Sequence, residues 1–196
     1  MEAEPFVSQL AYKFLAKGAL GAISQFTWPL PTGSEPGAWV DTGGLQLCER
    51  GVHACRAHEL SLWLHEELWI VELDGPCVEG VDCLVAQRAR LRSSVSAWEQ
   101  GGAARFAQAA RDHAALLVEQ APAAIRPRLV QYVADSSFHL PNGSTALAAF
   151  CAAMAVAWLR GVDHFAEEGY REERAWQSRF IAEDLGLVLS NDALTT

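Results

Sequence analysis

The spacing of apolar residues changes once along the chain, and this change constrains the fold more than any other feature. Up to Arg92 apolar residues alternate or form short runs, as in β-strands, whereas from Ser93 they recur every three to four residues, as in helices. Strands followed by helices are typical of an α+β fold. We predict a small, mostly antiparallel sheet with one short helix in residues 1–92, and a bundle of about four helices packed on it in residues 93–196. The 196 residues are expected to form one compact domain.

Six segments of the first half carry strand patterns. In the first of them Leu10, Tyr12 and Phe14 alternate along the chain, which places them on one face of a strand. The run from Leu68 to Leu73 is almost continuously apolar and ends at the turn signal Asp74-Gly75-Pro76, which predicts a central strand. The predicted strands span residues 9–16, 23–28, 38–41, 52–56, 68–73 and 83–92.

Five segments carry helical patterns. Leu60, Trp63 and Leu64 lie at i, i+3 and i+4 and indicate the short helix of the first half. The clearest pattern is a stripe of larger side chains in an alanine-rich segment, which we expect to be buried on most sides; the stripe consists of Leu147, Phe150, Cys151, Met154 and Trp158. The other three helices are predicted over residues 103–121, from about residue 127, and over residues 170–185, with a loop at residues 138–143.

Charge and cysteine content narrow the classes of function. The formal net charge of −9 disfavours nucleic acids and anionic membranes as partners, because both attract Lys and Arg. The 5 cysteines are an odd number without the spacing of a disulfide framework, so we expect reduced thiols and a cytoplasmic protein. Residues 1–5 lack the basic start of a signal peptide, and the apolar segment 147–159 is too short to cross a bilayer.

The densest group of reactive side chains lies between residues 47 and 75. Four thiols and imidazoles there have the spacing C-x4-H-x-C-x2-H, and both groups are ligands that Zn²⁺ prefers; they belong to Cys48, His53, Cys55 and His58. The spacing is not a standard zinc motif, and no second ligand pair follows at a finger-like distance. A strand also spreads its side chains too widely to close four ligands around one ion. We therefore favour a pair of packed residues, His53 and Cys55, over a metal site.

An imidazole is the natural proton carrier near neutral pH, so His53 is the predicted acid–base residue, with Cys55 or Glu72 beside it. Glu72 lies in an apolar strand, where a carboxylate is either on the wet face or buried with a raised pKa. The pocket is predicted between the aromatic face of the sheet and the helices. Its substrate-binding residues are predicted to be Tyr12, Lys13, Trp39 and His139. His113 lies on an apolar helix stripe, which favours a core histidine with one partner over a catalytic base.

Several familiar chemistries lack their motif. The chain contains no phosphate-binding G-x-x-x-x-G-K-[ST], no G-x-S-x-G nucleophile turn and no H-E-x-x-H, and its sequence identifies no cofactor. Arg88, Arg90 and Arg92 share one face of the last predicted strand. This pattern favours a solvated sheet face over an anion-binding site.

A set of short segments extends over most of the first half and the end of the chain. It comprises residues 12–14, 26–29, 37–40, 48–55, 68–73 and 170–187. With these segments the chain resembles a family of uncharacterised actinobacterial proteins. The run Cys-x2-Gly-x-His-Ala-Cys, from Cys48 to Cys55, is also similar to a motif of some uncharacterised phage proteins. Neither resemblance implies a known activity.

The order strand, short helix and strand ending in Val-Glu-Leu, from Gly51 to Leu73, resembles the layout of the ADP-ribosyltransferase fold. The resemblance implies an NAD-using transferase. The chain departs from that family's pattern at three places. It has Tyr12-Lys13 where the family carries Arg or His, His53 and Cys55 where it carries a hydroxyl residue, and Gln87-Arg88 where it carries the catalytic Glu.

Three functions are consistent with these sequence features. The leading hypothesis is a cytoplasmic enzyme that acts on a small organic molecule by acid–base chemistry, with specialised metabolism as its setting. The second is a non-catalytic module that binds a small molecule or forms a homodimer. The third is the ADP-ribosyltransferase-like protein that the strand layout implies.

Overall fold

The computed structural model describes residues 9–46, 49–162 and 164–187. One antiparallel sheet is formed by β1 (Gln9–Leu15), β2 (Val40–Asp41), β3 (Val52–Ala54), β4 (Glu67–Glu79) and β5 (Leu84–Ser94). A 3₁₀ helix (Ala57–Leu62) lies between β3 and β4, and a π-helical turn (Trp98–Gly102) follows β5. The helices are α1 (Ala103–Glu119), α2 (Arg126–His139), α3 (Thr145–Gly161) and α4 (Glu167–Asp184). The predicted α+β order, sheet first and helices after, is confirmed.

The sheet closes on itself. β4 lies between β1 and β5, and β3 pairs with the other edge of β5. The ring is completed just after β3, where Tyr12 and Cys55 exchange two backbone hydrogen bonds, N–H to O, of 2.9 and 2.8 Å. The register of β4 against β5 shifts at two places, between Ile70 and Val71 and between Asp74 and Cys77. Such bulges increase the local bend and twist of a strand, which helps two long strands to curve into a ring.

Each face of the sheet carries its own apolar core, because side chains alternate along a strand. Tyr12 and Phe14 of β1 belong to the core shared with the helices, in which Trp98 is fully buried with its ring centroid 5.2 Å from that of Phe14. Leu15 and Trp28 belong to the second core, on the opposite face, with apolar residues of β3, β4 and β5. The segment after β1, which supplies Trp28, covers that second face.

Helix α3 lies at the centre of the helical half and packs against α1, α2 and α4. Its contact surface consists of small side chains that are completely buried, among them Ala149 and Ala152. Leu147 and Phe150, by contrast, are 50% and 43% exposed. Small residues allow the neighbouring helices to approach closely, so the alanines form the buried face. Although α3 is apolar, no helix within the described ranges has the length and apolar character needed to span a membrane.

Three details of the predicted elements are wrong. Residues 23–28 form a turn with a single bridge between Leu20 and Thr27, and Ile23 is 92% exposed, so they are not a strand. Residues 138–143 are not wholly a loop, because α2 continues to His139. The large residues at the start of the alanine-rich helix were expected to be buried, but Leu147 and Phe150 face outwards. Periodicity locates a helix, but it does not decide which of two apolar faces meets its neighbours.

We predict that Ala152→Leu destabilises the protein, because α3 leaves no room for a larger side chain among its neighbours. Overpacking of this kind costs about 1–3 kcal/mol of unfolding free energy. Urea denaturation followed by circular dichroism measures the change. Ala146→Leu, at an exposed position of the same helix, is the control and should leave the midpoint almost unchanged. Equal effects of the two substitutions would show that α3 is not tightly packed.

Candidate functional site

The candidate site lies at the seam where β1 meets the end of β3. In the described part of the chain these segments pair only at Tyr12 and Cys55, and no ladder continues beyond that bridge. Lys13 lies next to the bridge, and its Nζ donates a hydrogen bond of 2.5 Å to the backbone oxygen of His53. The lysine side chain thus occupies the place where the sheet would otherwise leave a carbonyl oxygen unpaired.

The Lys13 amine is held in apolar surroundings. Alternation along β1 places it on the face of Ala11 and Leu15, and its Nζ lies 5.4 Å from the ring centroid of Trp28. Burial lowers the pKa of Lys13 to about 8, because desolvation disfavours the charged ammonium. No carboxylate of the described residues forms an ion pair with it. A substantial share of this amine is therefore neutral near pH 8.

His53 is half-buried at the same seam. Burial and, next, the positive charge of Lys13 lower the pKa of His53, while a hydrogen bond with the backbone of Gly51 opposes the shift. The imidazole is consequently neutral at physiological pH and can accept a proton. The structure thus brings the Lys13 amine to the backbone of His53, 40 residues away in sequence, and the charge of Lys13 acts on the His53 imidazole.

The other two predicted residues at the seam face the helical core. Tyr12 is 7% exposed and Cys55 is 1% exposed, and both belong to the core beneath the helices. Burial, reinforced by the nearby charge of Glu59, strongly raises the pKa of the Cys55 thiol. Glu59 is itself buried and forms an ion pair with Arg56. A neutral, enclosed thiol packs as an apolar residue and is a poor nucleophile.

Glu72 and Trp39 lie together elsewhere on the sheet. Arg90 Nε and Arg92 Nη1 donate to the same oxygen of Glu72, at 2.9 and 3.1 Å, so the carboxylate is buried in an ion-pair network. The Trp39 ring lies under the guanidinium groups of Arg88 and Arg90, with centroid distances of 4.9 and 4.4 Å. These arginines therefore stack on an aromatic ring and pair with acidic neighbours on an accessible sheet face.

The remaining predicted residues are separate from the seam. His139 is the last residue of α2 in the helical half, with its ring 5.4 Å from that of Phe138. His58 is exposed on the 3₁₀ helix. Cys48, the first member of the C-x4-H-x-C-x2-H run, lies outside the described residues. Among the residues that the structure describes, no group of His, Cys, Asp and Glu could hold a metal ion.

A second cluster of titratable groups joins α1 to α4. His113 Nδ1 lies 2.9 Å from Glu173 Oε2, and the ring stacks on Trp176 at 3.8 Å between centroids. Burial raises the pKa of Glu173 to about 7 and lowers that of His113. The sequence did not identify Glu173 as the partner of His113. The spacing could have indicated it, because Glu173, Trp176 and Phe180 lie at i, i+3 and i+7 and so share one face of the helix.

The 3₁₀ helix is attached to α4 by a buried polar network. Ser61 donates from its backbone N–H to Ser178 Oγ at 3.0 Å and from its hydroxyl to the Arg174 carbonyl oxygen at 2.7 Å. Arg174 Nη1 donates to Ser61 O and to Gln177 Oε1. Gln177 in turn donates to Glu173 Oε1 at 3.1 Å. The cluster around Glu173 is thus continuous with the contacts that join the two halves of the fold.

A cleft of about 450 Å³ lies where the start of β4 meets the first turns of α1 and α3. It is lined by Lys17, Leu64, His65, Glu66, Glu67, Glu99, Ala103 and residues 143–147. Glu67 accepts hydrogen bonds from the backbone of Gly18 and Ala19, and Glu66 accepts one from Lys17 N. None of the residues predicted to be catalytic or substrate-binding lines this cleft. The carboxylates of Glu66 and Glu67 thus bind the turn after β1, and the predicted site residues lie outside this cleft.

Comparisons with known proteins found no matching family model, no matching curated protein and no matching solved structure. The resemblances to the actinobacterial family and to the ADP-ribosyltransferase layout stay predictions.

We predict that Lys13→Met removes a pH dependence of stability between about pH 8 and pH 10.5. In this window the unfolded chain keeps the Lys13 proton, whereas the folded protein, with its lowered pKa, has released it. Raising the pH therefore stabilises the wild type, and the variant should lack this rise. Melting temperatures across the window measure it. Lys17→Met, at the exposed second lysine, is the control and should keep the wild-type rise.

We predict that Glu173→Gln stabilises the protein relative to the wild type as the pH rises from about 4.5 to about 7. The folded state holds the Glu173 proton more tightly than the unfolded chain, so the wild type loses this contribution over that window. The charge of Arg174 lowers the pKa of this carboxyl, and the charge of Glu172 raises it. The variant keeps both of these charges and His113, so the difference in melting temperature between the two proteins reports the titration of the Glu173 carboxyl alone. A difference that is constant with pH would contradict the raised pKa.

Proposed function

We propose that the protein is an enzyme that acts on a small organic molecule by acid–base chemistry at the seam between β1 and β3. The observation that carries the proposal is the placement of Lys13 beside the His53 backbone at this seam, without a carboxylate partner among the described residues. An imidazole and an amine whose pKa values are both lowered at one seam are typical of proton-transfer sites.

The two bases have different roles in this proposal. His53 is the acid–base residue, since a neutral imidazole near pH 7 both accepts and returns a proton. Lys13 is less hydrated, and its amine can bind a polar substrate group or remove a proton from it. Neither role requires Cys55 or Glu72, because one is enclosed as a neutral thiol and the other is held by two arginines.

The cytoplasm is the proposed location. The cysteines in the described ranges are not in disulfides; they are Cys55, Cys77, Cys83 and Cys151. Cys77 is exposed, and an exposed free thiol persists best in a reducing compartment. Reduced cysteines together with the net charge of −9 support a small molecule as the partner, rather than nucleic acid or an anionic membrane.

We predict that His53→Asn and Lys13→Met each lower turnover at least tenfold, because each removes a base but leaves the protein backbone of the seam in place. The assay incubates purified protein with a mixed extract of small metabolites and follows their consumption by mass spectrometry. Lys17→Met is the matched control and should retain wild-type turnover.

Other outcomes of this assay discriminate between the functions. Wild-type turnover that survives both substitutions would place the chemistry elsewhere. Thermal stabilisation by a metabolite without any turnover would favour the binding module. Stabilisation by NAD, together with its consumption, would instead favour the transferase that the strand layout implies.

A further inference from the structure

We propose that Lys13 forms a covalent imine with the carbonyl group of a small aldehyde or ketone. The inference rests on the proposed function, and it names the substrate class of that site. The chain contains two lysines, Lys13 and Lys17, and they lie in different environments. Lys17 is exposed, whereas Lys13 is partly buried against the Trp28 ring and the apolar face of the sheet.

The polar contacts of the amine suit a nucleophile. Among the described residues Lys13 Nζ has one hydrogen-bond acceptor, the His53 carbonyl oxygen. An ammonium group carries three N–H donors, so two of them would lack a protein acceptor at this buried position. A neutral amine that donates one N–H to this oxygen keeps its lone pair for another atom. A lysine desolvated in apolar surroundings is a well-known form of activated amine nucleophile.

The nearby thiol does not compete for the carbonyl group. Cys55 Sγ belongs to a side chain that is enclosed in the core beneath the helices, with 1% of the residue exposed. Its raised pKa keeps it as a neutral thiol. Lys13 is therefore the nucleophile that this seam offers.

The proposed step balances without an oxidant or a reductant. The Lys13 lone pair attacks the carbonyl carbon, a C–N bond forms, and the electron pair of the C=O double bond moves to oxygen. A proton passes from nitrogen to that oxygen, which gives the carbinolamine. A hydronium ion of the solvent protonates the hydroxyl group, which leaves as one water molecule. Loss of the nitrogen proton to solvent water then leaves the neutral imine.

Reductive trapping tests the imine. Wild-type protein is incubated at pH 7 with propanal or, separately, with pyruvate, each with sodium cyanoborohydride, and peptide mass spectrometry measures the alkylation rates of both lysines. An amine with a pKa of about 8 is roughly one tenth neutral at pH 7, which is about 200 times more than an ordinary lysine. Allowing for restricted access, we expect Lys13 to react at least tenfold faster than Lys17.

Three controls complete the test. In 8 M urea, chosen to denature the protein, the faster alkylation of Lys13 should disappear, because it depends on the fold. Lys13→Arg should remove the fast adduct, and Lys17→Arg should keep it. Alkylation of Lys13 at the same rate as Lys17, or more slowly, in the folded wild type would overturn the imine, and this comparison requires no variant to fold.

The imine and the proposed acid–base function fail in different ways. If Lys13 is not trapped but Lys13→Met and His53→Asn still lose turnover in the metabolite assay, the imine is overturned and the proposed acid–base function is retained. If Lys13 is trapped faster than Lys17 but both variants keep wild-type turnover, the reactive amine is supported and the proposed enzyme function is overturned.

Discussion

Two backbone hydrogen bonds, between Tyr12 and Cys55, close the sheet into a ring, and much of the structure depends on them. Closure brings the first strand beside the end of β3, although the two are far apart in sequence. It gives the sheet one face for the helices and a second face for the segment that carries Trp28. A closed sheet also leaves fewer unpaired strand edges. The seam at Lys13 exists because this closure consists of one bridge instead of a continuous ladder.

The helical half is organised by close approach around α3. Alanine side chains separate this helix from its three neighbours, so little space remains for long side chains at the contacts. Polar groups that do lie there have to satisfy one another, as Gln177 does with Glu173 Oε1 and the Ala149 carbonyl oxygen. The same crowding explains the raised pKa of Glu173, because its carboxyl is removed from water with His113 as its neighbour on α1.

Sequence patterns located most elements but not all of their boundaries. The alternation of Leu10, Tyr12 and Phe14 corresponds to β1, and the predicted strand at residues 83–92 corresponds to β5 within two residues at its end. Residues 23–28 were predicted wrongly, because an aromatic and β-branched composition also suits a turn that covers a sheet face. At the site, the sequence predicted His53 as the acid–base residue and Lys13 as a substrate-binding residue. It did not predict the hydrogen bond from Lys13 to the backbone oxygen of His53. Glu173 was missed, since a single charged residue on a helix usually faces water.

The sequence by itself determined the types of elements, their order and the overall charge, because these follow from local periodicity and composition. The tertiary structure decided which apolar face of α3 is buried and which polar groups meet. Lys13 and His53 are 40 residues apart, and His113 and Glu173 are 60 apart. Local spacing carries no information on such distances, whereas desolvation and pairing within the folded chain change the chemistry of those four residues.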